Sequence, residues 1–296
     1  MHITTNRDEL VTMSVQGEVS SPVLSKGRRW RIGPDGKPRA LPGMGGITYN
    51  CKVGDSAIQW QADHMEPGVS MKNSDKRPNS ALNFLACIGN TATVRSGDAK
   101  GDTGLVTGKH GGINHVLIDF PQSTLENLAI GDTIQIRARG QGLELEDYEG
   151  IAFTSMSPRL LDRLPLQKKN DRLAIGVTHV LPAAVMGSGV GPADSFAGDS
   201  DLQLSDQAVV EEYGTENLRL GDLVAIRDAD HSYGRVYRKG AVAVGVVIHS
   251  CCVQAGHGPG LTTLMTSSEG LIEPVQDEQA NIARFLEIGR YRSDED

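Results

Sequence analysis

Carboxylate and imidazole side chains stand close together early in the chain. The segment Ala62-Asp-His-Met-Glu-Pro-Gly68 places Asp63, His64 and Glu66 near one another. In an extended strand His64 and Glu66 would point to the same side, because successive side chains alternate between the two faces. Such a pair supplies two ligands of a divalent metal and needs a third from elsewhere. We therefore name His64 and Glu66 as candidate metal ligands, although the segment taken alone favours the alternative of an ordinary polar surface.

A denser group of polar residues follows in the second half of the chain. Asp230 and His231 come after one predicted strand, and His257 comes after the next. If the two strands are neighbours, both groups lie at one rim of the sheet, where sites carried by loops commonly form. His257 is flanked by glycines, a setting that packing alone does not explain. We predict Asp230, His231 and His257 as catalytic residues, and His231 also as the third metal ligand.

Two adjacent cysteines, Cys251 and Cys252, belong to the same region. A cysteine nucleophile needs a nearby base, and His257 or His231 could supply it. The alternative is that both are small buried residues at the end of a strand, as free cysteines usually are. We favour the second interpretation.

A glycine-rich loop carries a lysine and two histidines in the segment Thr107-Gly-Lys-His-Gly-Gly-Ile-Asn-His115. Its backbone N–H groups and the ammonium could bind an anion. The spacing is not that of a phosphate-binding P-loop, which requires GxxxxGK[ST]. We predict Lys109 and His110 as substrate-binding residues, with an exposed hairpin tip as the equally weighted alternative.

A further glycine run, Met186-Gly-Ser-Gly-Val-Gly191, follows a predicted strand. No helical pattern comes after it, so a dinucleotide-binding fold is rejected and no nucleotide cofactor is predicted. A backbone nest for a small anion is still compatible with the run, and Ser188 is predicted to bind substrate. Asp199 and Asp201, spaced two apart, could form a carboxylate pair for acid–base chemistry or a metal. Calcium would need more oxygen ligands than this loop offers.

Short alternating strands must position these residues. Between Ala92 and Arg139 several strands follow one another with glycine or aspartate turns, a pattern typical of a small barrel or sandwich. Part of this region, from Val94 to Val106, resembles a KOW motif, the SH3-like barrel segment of some ribosomal and transcription proteins. Farther on, Ala241–His249 is the clearest candidate for a buried strand.

The sequence predicts a mainly β protein with few short helices, built from a small SH3-like or KOW-type barrel and further barrel-like β subdomains. A proline and a charge run at Leu160–Lys169 place the domain boundary there, giving domains 1–165 and 166–296. The second domain is predicted to end in a helix that is N-capped by Asp277. The segments Glu126–Ile136 and Glu216–Ile226 repeat a Gly-Asp turn followed by a strand. Either an ancient duplication or common turn chemistry explains the repeat.

Composition restricts the class of protein. The chain has 296 residues, 35 glycines, 4% aromatic residues and a net charge of −8. Many glycines favour compact turns between short strands. The negative charge opposes nonspecific nucleic-acid binding, which depends on cationic contacts with phosphate. No apolar stretch is long enough to span a membrane, and the cysteine pattern favours reduced thiols, so we expect a cytoplasmic protein.

Several motifs taken together carry a family resemblance. The segments SGDAKG, GKHGG, MGSG, GDSDLQ, YRKGA and AGHGPG, in this order, are similar to those of a bacterial and archaeal family, domain of unknown function 4438. The resemblance runs from about Asp63 to Leu286, and the first 45 residues show nothing that matches. It implies a β-rich assembly of small subdomains. It implies no activity, so it assigns no catalytic residue.

The leading functional hypothesis is an enzyme that acts on a small polar or anionic metabolite, as a metal-assisted hydrolase or lyase. The metal would be Zn, Mn or Fe, and we expect a homo-oligomer. The alternative is a non-catalytic module that binds RNA or a protein through the KOW-like barrel, and nucleic acid is the less favoured partner. A third alternative is an oligomeric scaffold assembled through edge strands.

Overall fold

Strands dominate the secondary structure of the protein. The structure, a computed structural model, describes residues 3–24, 30–189 and 195–293. In these ranges the strands are β1 Met13–Val19, β2 Arg31–Ile32, β3 Pro38–Arg39, β4 Ile47–Thr48, β5 Gly68–Lys72, β6 Thr91–Val94, β7 Thr103–His110, β8 His115–Asp119, β9 Thr133–Ala138, β10 Ala152–Phe153, β11 Leu166–Lys169, β12 Arg172–Val177, β13 His179–Pro182, β14 Met186–Gly189, β15 Ser200–Leu202, β16 Leu223–Asp230, β17 Val236–His249, β18 Gly260–Ser267 and β19 Ile272–Gln276. The α-helices are α1 Lys76–Leu85, α2 Gln122–Asn127, α3 Pro158–Leu161, α4 Gln207–Tyr213 and α5 Ile282–Leu286. The predicted mainly β class with few short helices is confirmed.

The first half of the chain forms a closed barrel. Its strands follow the order β1-β9-β6-β7-β8-β5, and β5 pairs with β1 to close the ring. β6 and β9 alternate between buried and less buried residues, so one face of each fills the barrel interior. At the closure a Cβ on Gly17 would lie 2.7 Å from the Lys72 carbonyl oxygen, so the strands can approach only because residue 17 is glycine. The predicted barrel is confirmed, while the likeness to a KOW motif remains a prediction.

A second sheet carries most of the later strands in the order β13-β16-β17-β18-β15-β14, and β10 pairs with β18. β17 is long, and its last nine residues, Ala241–His249, are buried. This apolar end is the strand that the sequence predicts. A smaller sheet, β11-β12-β19, includes Leu166–Lys169, which the sequence predicts as an irregular boundary. Leu166–Lys169 instead forms a hairpin with β12.

The helix predicted near the C-terminus is present as α5, but it begins later than expected. Asn281 caps it, because the Asn281 side chain accepts a hydrogen bond from the Ala283 N–H. Asp277 instead accepts from the Gln279 N–H in a separate turn. Among the described residues, no helix is long and apolar enough to cross a membrane.

The two sheets are joined through a shared core. One buried cluster contains Ile88 and Leu117 from the barrel together with Ile175, Val246 and Leu264 from the later sheets. At this junction the Lys109 N–H of β7 donates to the Thr262 hydroxyl of β18, 3.2 Å away. The end of β7 is therefore held against the second sheet, and the polar residues that follow it lie next to those at the end of β17.

Candidate metal centre

Four histidine rings and two carboxylates meet at this junction, and we call them the histidine cluster: His64, His110, His249, His257, Asp199 and Asp201. The ring centroids of His110 and His249 are 4.3 Å apart. His64 lies 5.0 Å from His249 and 5.2 Å from His257, again between centroids. Imidazoles this close in a buried place cannot all be charged without a compensating group. The cluster therefore calls for an explanation by function.

Strand ends deliver most of the cluster. His110 is the last residue of β7, His249 is the last residue of β17, and Asp201 belongs to β15. Gly260 opens β18 beside them, where a Cβ would lie 2.2 Å from Asp199 Oδ2 and 2.3 Å from His249 Nε2. A side chain at residue 260 would therefore displace both groups.

His64 reaches the cluster from an irregular loop. It is buried, and its φ of 57° lies in the left-handed region that non-glycine residues seldom adopt. Such strain is commonly found where the surrounding structure holds a functional residue in place. Because the segment is not an extended strand, His64 and Glu66 do not share a face as the sequence predicts.

Glu66 lies behind the cluster as a buried support for His110. Its carboxylate contacts His110 Nδ1 at 2.5 Å and His115 Nδ1 at 2.9 Å. The Gly45 N–H and the Ser70 hydroxyl donate to the same carboxylate at 2.7 and 2.5 Å. Burial raises the pKa of Glu66, but the two histidines outweigh it and hold the pKa well below its usual range. Glu66 is thus an ionised anchor that leaves His110 Nε2 as the free ring nitrogen.

Asp63 performs the same task for His64. Its Oδ1 lies 3.0 Å from His64 Nδ1, and its Oδ2 lies 2.5 Å from Arg31 Nε. The Cys252 thiol also donates to Asp63 Oδ1, at 2.9 Å. Burial, together with this carboxylate, raises the pKa of Cys252 far above its ordinary value, so Cys252 is a neutral thiol. This agrees with the interpretation of Cys252 as a buried residue rather than a nucleophile.

His249 is fully buried and is oriented by the backbone. Its Nδ1 lies 2.8 Å from the Ser250 carbonyl oxygen, which can only accept, and 3.3 Å from the Gly260 backbone nitrogen, whose N–H can only donate. The shorter contact favours a proton on Nδ1. Its Nε2 lies 3.0 Å from Asp199 Oδ2 and 3.4 Å from Asp201 Oδ1. Neither contact has hydrogen-bond geometry, and among the described residues His249 Nε2 and Asp201 Oδ1 are buried without a hydrogen-bond partner.

The electrostatics around His249 favour a cation at this point. Burial lowers the pKa of His249, but Asp199 and Asp201 outweigh it and raise the pKa well above its ordinary value. A proton on His249 offsets one of the two carboxylate charges. A divalent cation in place of that proton would balance both carboxylates and would contact His249 Nε2 and Asp201 Oδ1.

Three of the rings share one arrangement, which is typical of histidines that bind metals. In His64, His110 and His249 a carboxylate or a carbonyl oxygen engages Nδ1 and leaves Nε2 for the cluster. Metal-ligating histidines almost always have such a partner on the second nitrogen, which fixes the tautomer and the ring orientation. The donor atoms of His110, Asp199 and His249 lie within 4.8 Å of one another, and so do those of His64, Asp201 and His249. Nitrogen and oxygen donors of this kind suit Zn, Mn or Fe.

A cleft of about 750 Å³ opens onto the cluster. His257 faces it with 21% of its side chain exposed, more than the buried rings of His64, His110 and His249. His257 Nδ1 lies 2.8 Å from Asp201 Oδ2 and 3.2 Å from His64 Nε2. Ser188 and the glycines of the β7–β8 turn also line the cleft. A small molecule in the cleft would therefore contact His257 together with His64, His110 and the two aspartates.

Besides the pair Asp199 and Asp201, four of the residues singled out from the sequence come together at the cleft: His64, His110, His257 and Ser188. Ser188 is exposed there, although the glycine run that contains it continues to Gly191, which lies outside the described residues. The predicted roles of these four residues remain predictions. What the structure adds is that their side chains share one cavity.

The other predicted residues lie elsewhere. Lys109 is fully buried, and its ammonium donates to the carbonyl oxygens of Phe84 and Phe196, the latter at 2.5 Å. His231 is buried, with Nδ1 2.8 Å from the Thr263 hydroxyl. Asp230 accepts from the Ser232 hydroxyl at 2.6 Å. Among the described residues, the groups able to hold a metal include neither His231 nor Glu66.

Sequence reasoning gave His249 too little weight because it ends an apolar strand and looks like part of the core. Arg31 escaped notice altogether, and His115 was noticed only as the second histidine of the glycine-rich loop, without a role of its own. His115 is paired with His110 across the β7–β8 hairpin. Its position in the motif His110-Gly-Gly-Ile-Asn-His115 is the signal that could have found it.

The fold and the site together define a class: a β-barrel protein joined to a second sheet, with a buried histidine–carboxylate centre at the junction. The chain belongs to the family of domain of unknown function 4438, whose N-terminal model matches residues 30–162 and whose C-terminal model matches residues 163–286. The resemblance seen in the motifs is thereby confirmed. The match also begins earlier than the motifs indicate, because it includes residues 30–45.

A solved structure shows the same architecture. The crystal structure of TM1086 is 46% identical in sequence and superposes with a TM-score of 0.92, covering 96% of this chain and 99% of that chain. A comparison with curated proteins gave no match.

Proposed function

We propose that this protein is a metal-dependent enzyme, a hydrolase or lyase acting on a small polar or anionic metabolite. One observation carries the proposal. Three buried imidazoles, each contacted at Nδ1 by an oxygen atom, place their Nε2 atoms beside the carboxylates of Asp199 and Asp201, as a set of metal ligands would. A structural core has no need of this arrangement, in which His249 Nε2 and Asp201 Oδ1 are buried and form no hydrogen bond with any described residue.

The chain's residues divide into two roles. His64, His110, His249, Asp199 and Asp201 would hold the metal, and Asp63, Glu66 and the Ser250 carbonyl orient the rings. A bound metal of this kind supplies Lewis-acid polarisation of a substrate oxygen and activates water at neutral pH.

His257 is the proton-transfer group in this proposal. Asp201 Oδ2 contacts its Nδ1, and its ring faces the cleft, so a substrate held beside the metal ligands lies within reach of the ring. Ser188, on the cleft wall, would bind a polar group of the substrate. Lys109 supports the site from behind, because it holds the carbonyl of Phe196 in the segment that leads to Asp199.

The first test is the metal content of untagged protein purified without added metal. We compare wild type with His249→Ala and with the matched control His231→Ala. Both histidines are buried in the second sheet and leave Nε2 without a hydrogen bond among the described residues, but only His249 belongs to the cluster. We expect about one equivalent of Zn, Mn or Fe in wild type and in His231→Ala, and a loss in His249→Ala. Asp199→Asn serves as a second ligand variant if His249→Ala does not fold.

The outcomes separate the hypotheses. Metal lost only in the cluster variants supports the proposal and justifies a screen of amides, lactones and hydroxy acids. Metal lost in His231→Ala but kept in His249→Ala would instead favour the ligand set predicted from the sequence. Wild-type protein that contains no metal and binds none on titration would overturn the proposal.

A further inference from the structure

Hydrogen-bond donors also line the cleft. They include the side chains of Arg31, Gln254 and the exposed Ser188. The three belong to one connected patch. Arg31 Nη1 donates to Gln254 Oε1, and the Ser188 N–H donates to the Gly256 carbonyl, two residues beyond Gln254. We call Arg31, Gln254 and Ser188 the donor patch.

Arg31 is held in place through its Nε and Nη1 atoms. Its side chain is 15% exposed, and its Nε lies 2.5 Å from Asp63 Oδ2. Asp63 shares its charge with two further donors, His64 Nδ1 and the Cys252 thiol. Arg31 Nη2 has no hydrogen bond among the described residues, whereas a guanidinium paired for stability alone is usually bidentate. Among the residues that the structure describes, none contacts this edge of the guanidinium by a hydrogen bond, so we take it as the edge that a ligand would meet.

The cleft is lined by groups of both charges. The carboxylates that line it, Asp199 and Asp201, both belong to the histidine cluster. The donor patch contributes a cation, an amide and a hydroxyl to the same cavity. An anion would therefore be attracted to the donor patch and repelled by the two carboxylates of the cluster.

We propose that Arg31, with Gln254 and Ser188, binds a carboxylate or phosphate group of the substrate, and so selects a small metabolite with an anionic end and a reactive polar end. The inference rests on the proposed function, because the reactive end is the one held at the histidine cluster. Arg31 is accordingly a specificity-determining residue.

The geometry limits the size of the substrate. Arg31 contacts Asp63, which contacts His64 Nδ1 at 3.0 Å on the opposite side of the ring from Nε2. This chain of contacts places the guanidinium at most about 10 Å from His64 Nε2. A compact molecule with few carbons between its two polar ends fits this span.

The test measures binding of simple probes to the full chain by titration calorimetry. The probes are succinate, inorganic phosphate and the neutral succinamide, each applied to metal-loaded protein and to protein treated with a chelator. The variants are Arg31→Gln, the charge-preserving Arg31→Lys and the control Arg95→Gln. Arg95 is also hydrogen-bonded to a glutamine, Gln135, but it lies in a separate groove on the barrel surface.

We expect wild type and Arg95→Gln to bind succinate or phosphate equally. Arg31→Gln should bind either anion at least tenfold more weakly, Arg31→Lys should recover part of the loss, and succinamide should not distinguish the variants. Binding that is equal in Arg31→Gln and wild type at the same metal content would overturn the inference and leave the metal site untouched. Arg31-dependent binding in a protein that proves to hold no metal would support the anion subsite while the proposed function fails. The preferred probe shows whether the group is a carboxylate or a phosphate.

Discussion

Two buried histidines of this protein, His231 and His249, have pKa values shifted in opposite directions. Both are buried histidines of the second sheet. Carboxylates surround His249 and raise its pKa, whereas burial lowers the pKa of His231 to about 4. The His231 ring is therefore neutral at physiological pH and acts as a polar core residue. Protonation of His231 should therefore change the free energy of unfolding and leave ligand binding unchanged.

We predict a defined pH dependence from His231. Above pH 6.5 its ring is neutral in the folded and the unfolded chain, so it contributes no pH dependence there. As the pH falls from 6.5 toward 4, the unfolded chain takes up a proton that the folded chain excludes, so the free energy of unfolding decreases. Below pH 4 both states are protonated and the loss levels off at about 3 kcal/mol.

The measurement is urea unfolding of wild type and His231→Asn at pH 7, 6, 5 and 4.5. Asn keeps an N–H donor for the Thr263 hydroxyl but does not titrate. The destabilisation caused by the substitution should be greatest at pH 7 and should shrink or reverse toward pH 4.5. A difference between the two proteins that stays constant over this range would show that His231 is not the buried neutral ring described here.

At the scale of elements, one carboxylate contacts the histidines at two strand ends of the β7–β8 hairpin. His110 and His115 face each other across the hairpin, and Glu66, just before β5, contacts the Nδ1 atoms of both. Glu66 thereby fixes the ring that the hairpin delivers to the histidine cluster. Removing its charge should weaken metal binding without removing any ligand.

We predict that Glu66→Gln lowers metal affinity by roughly 10- to 100-fold, because partners on the second nitrogen orient the ring and raise its basicity. The affinity is measured by competition with a chromophoric chelator, and circular dichroism confirms the fold. Glu211→Gln is the control, since Glu211 accepts a hydrogen bond from Gln207 on an exposed face of α4. Equal affinities in wild type and Glu66→Gln would remove Glu66 from the site.

Elements defined by local chemistry are the part of the fold that could be predicted. The repeated Gly-Asp turn is an example: in Asp55, Asp132 and Asp222 the carboxylate accepts from the N–H three residues earlier. The preceding glycines Gly54, Gly131 and Gly221 all have positive φ. This turn starts β9 in the barrel and β16 in the second sheet. Common turn chemistry therefore suffices to explain the repeat, and the repeat does not require a duplication.

The assembly of the site could not be predicted in the same way. His64 and Glu66 were expected to share one face of a strand, but the left-handed backbone at His64 turns the two side chains to different partners. Asp201 and His249 meet only because β15 and β17 both pair with β18. Such contacts depend on strand order, and residue spacing does not determine it. The sequence could thus identify candidate residues, but it could not show which of them lie together in the folded protein.

At the scale of the whole molecule, the histidine cluster joins the two halves that the two family models match. His64 and His110 come from residues 30–162, while Asp199, Asp201 and His249 come from residues 163–286. The shared core also takes Ile88 and Leu117 from one half and Val246 and Leu264 from the other. Neither half buries this core or completes the ligand set alone, so we expect the halves to fold as one cooperative unit.

We therefore predict a single unfolding transition that metal shifts as a whole. Both tryptophans, Trp30 and Trp60, lie in the first half, so tryptophan fluorescence reports on that half while far-ultraviolet circular dichroism reports on the entire chain. The two midpoints should coincide in thermal unfolding, with and without a chelator. At a metal concentration about a hundredfold above Kd, binding to the folded state adds about 2.7 kcal/mol to stability, and both midpoints should rise together. In His249→Ala neither midpoint should respond to metal. A metal-dependent shift of the fluorescence midpoint alone would instead mean that the first half binds the metal by itself, which would contradict a centre built at the junction.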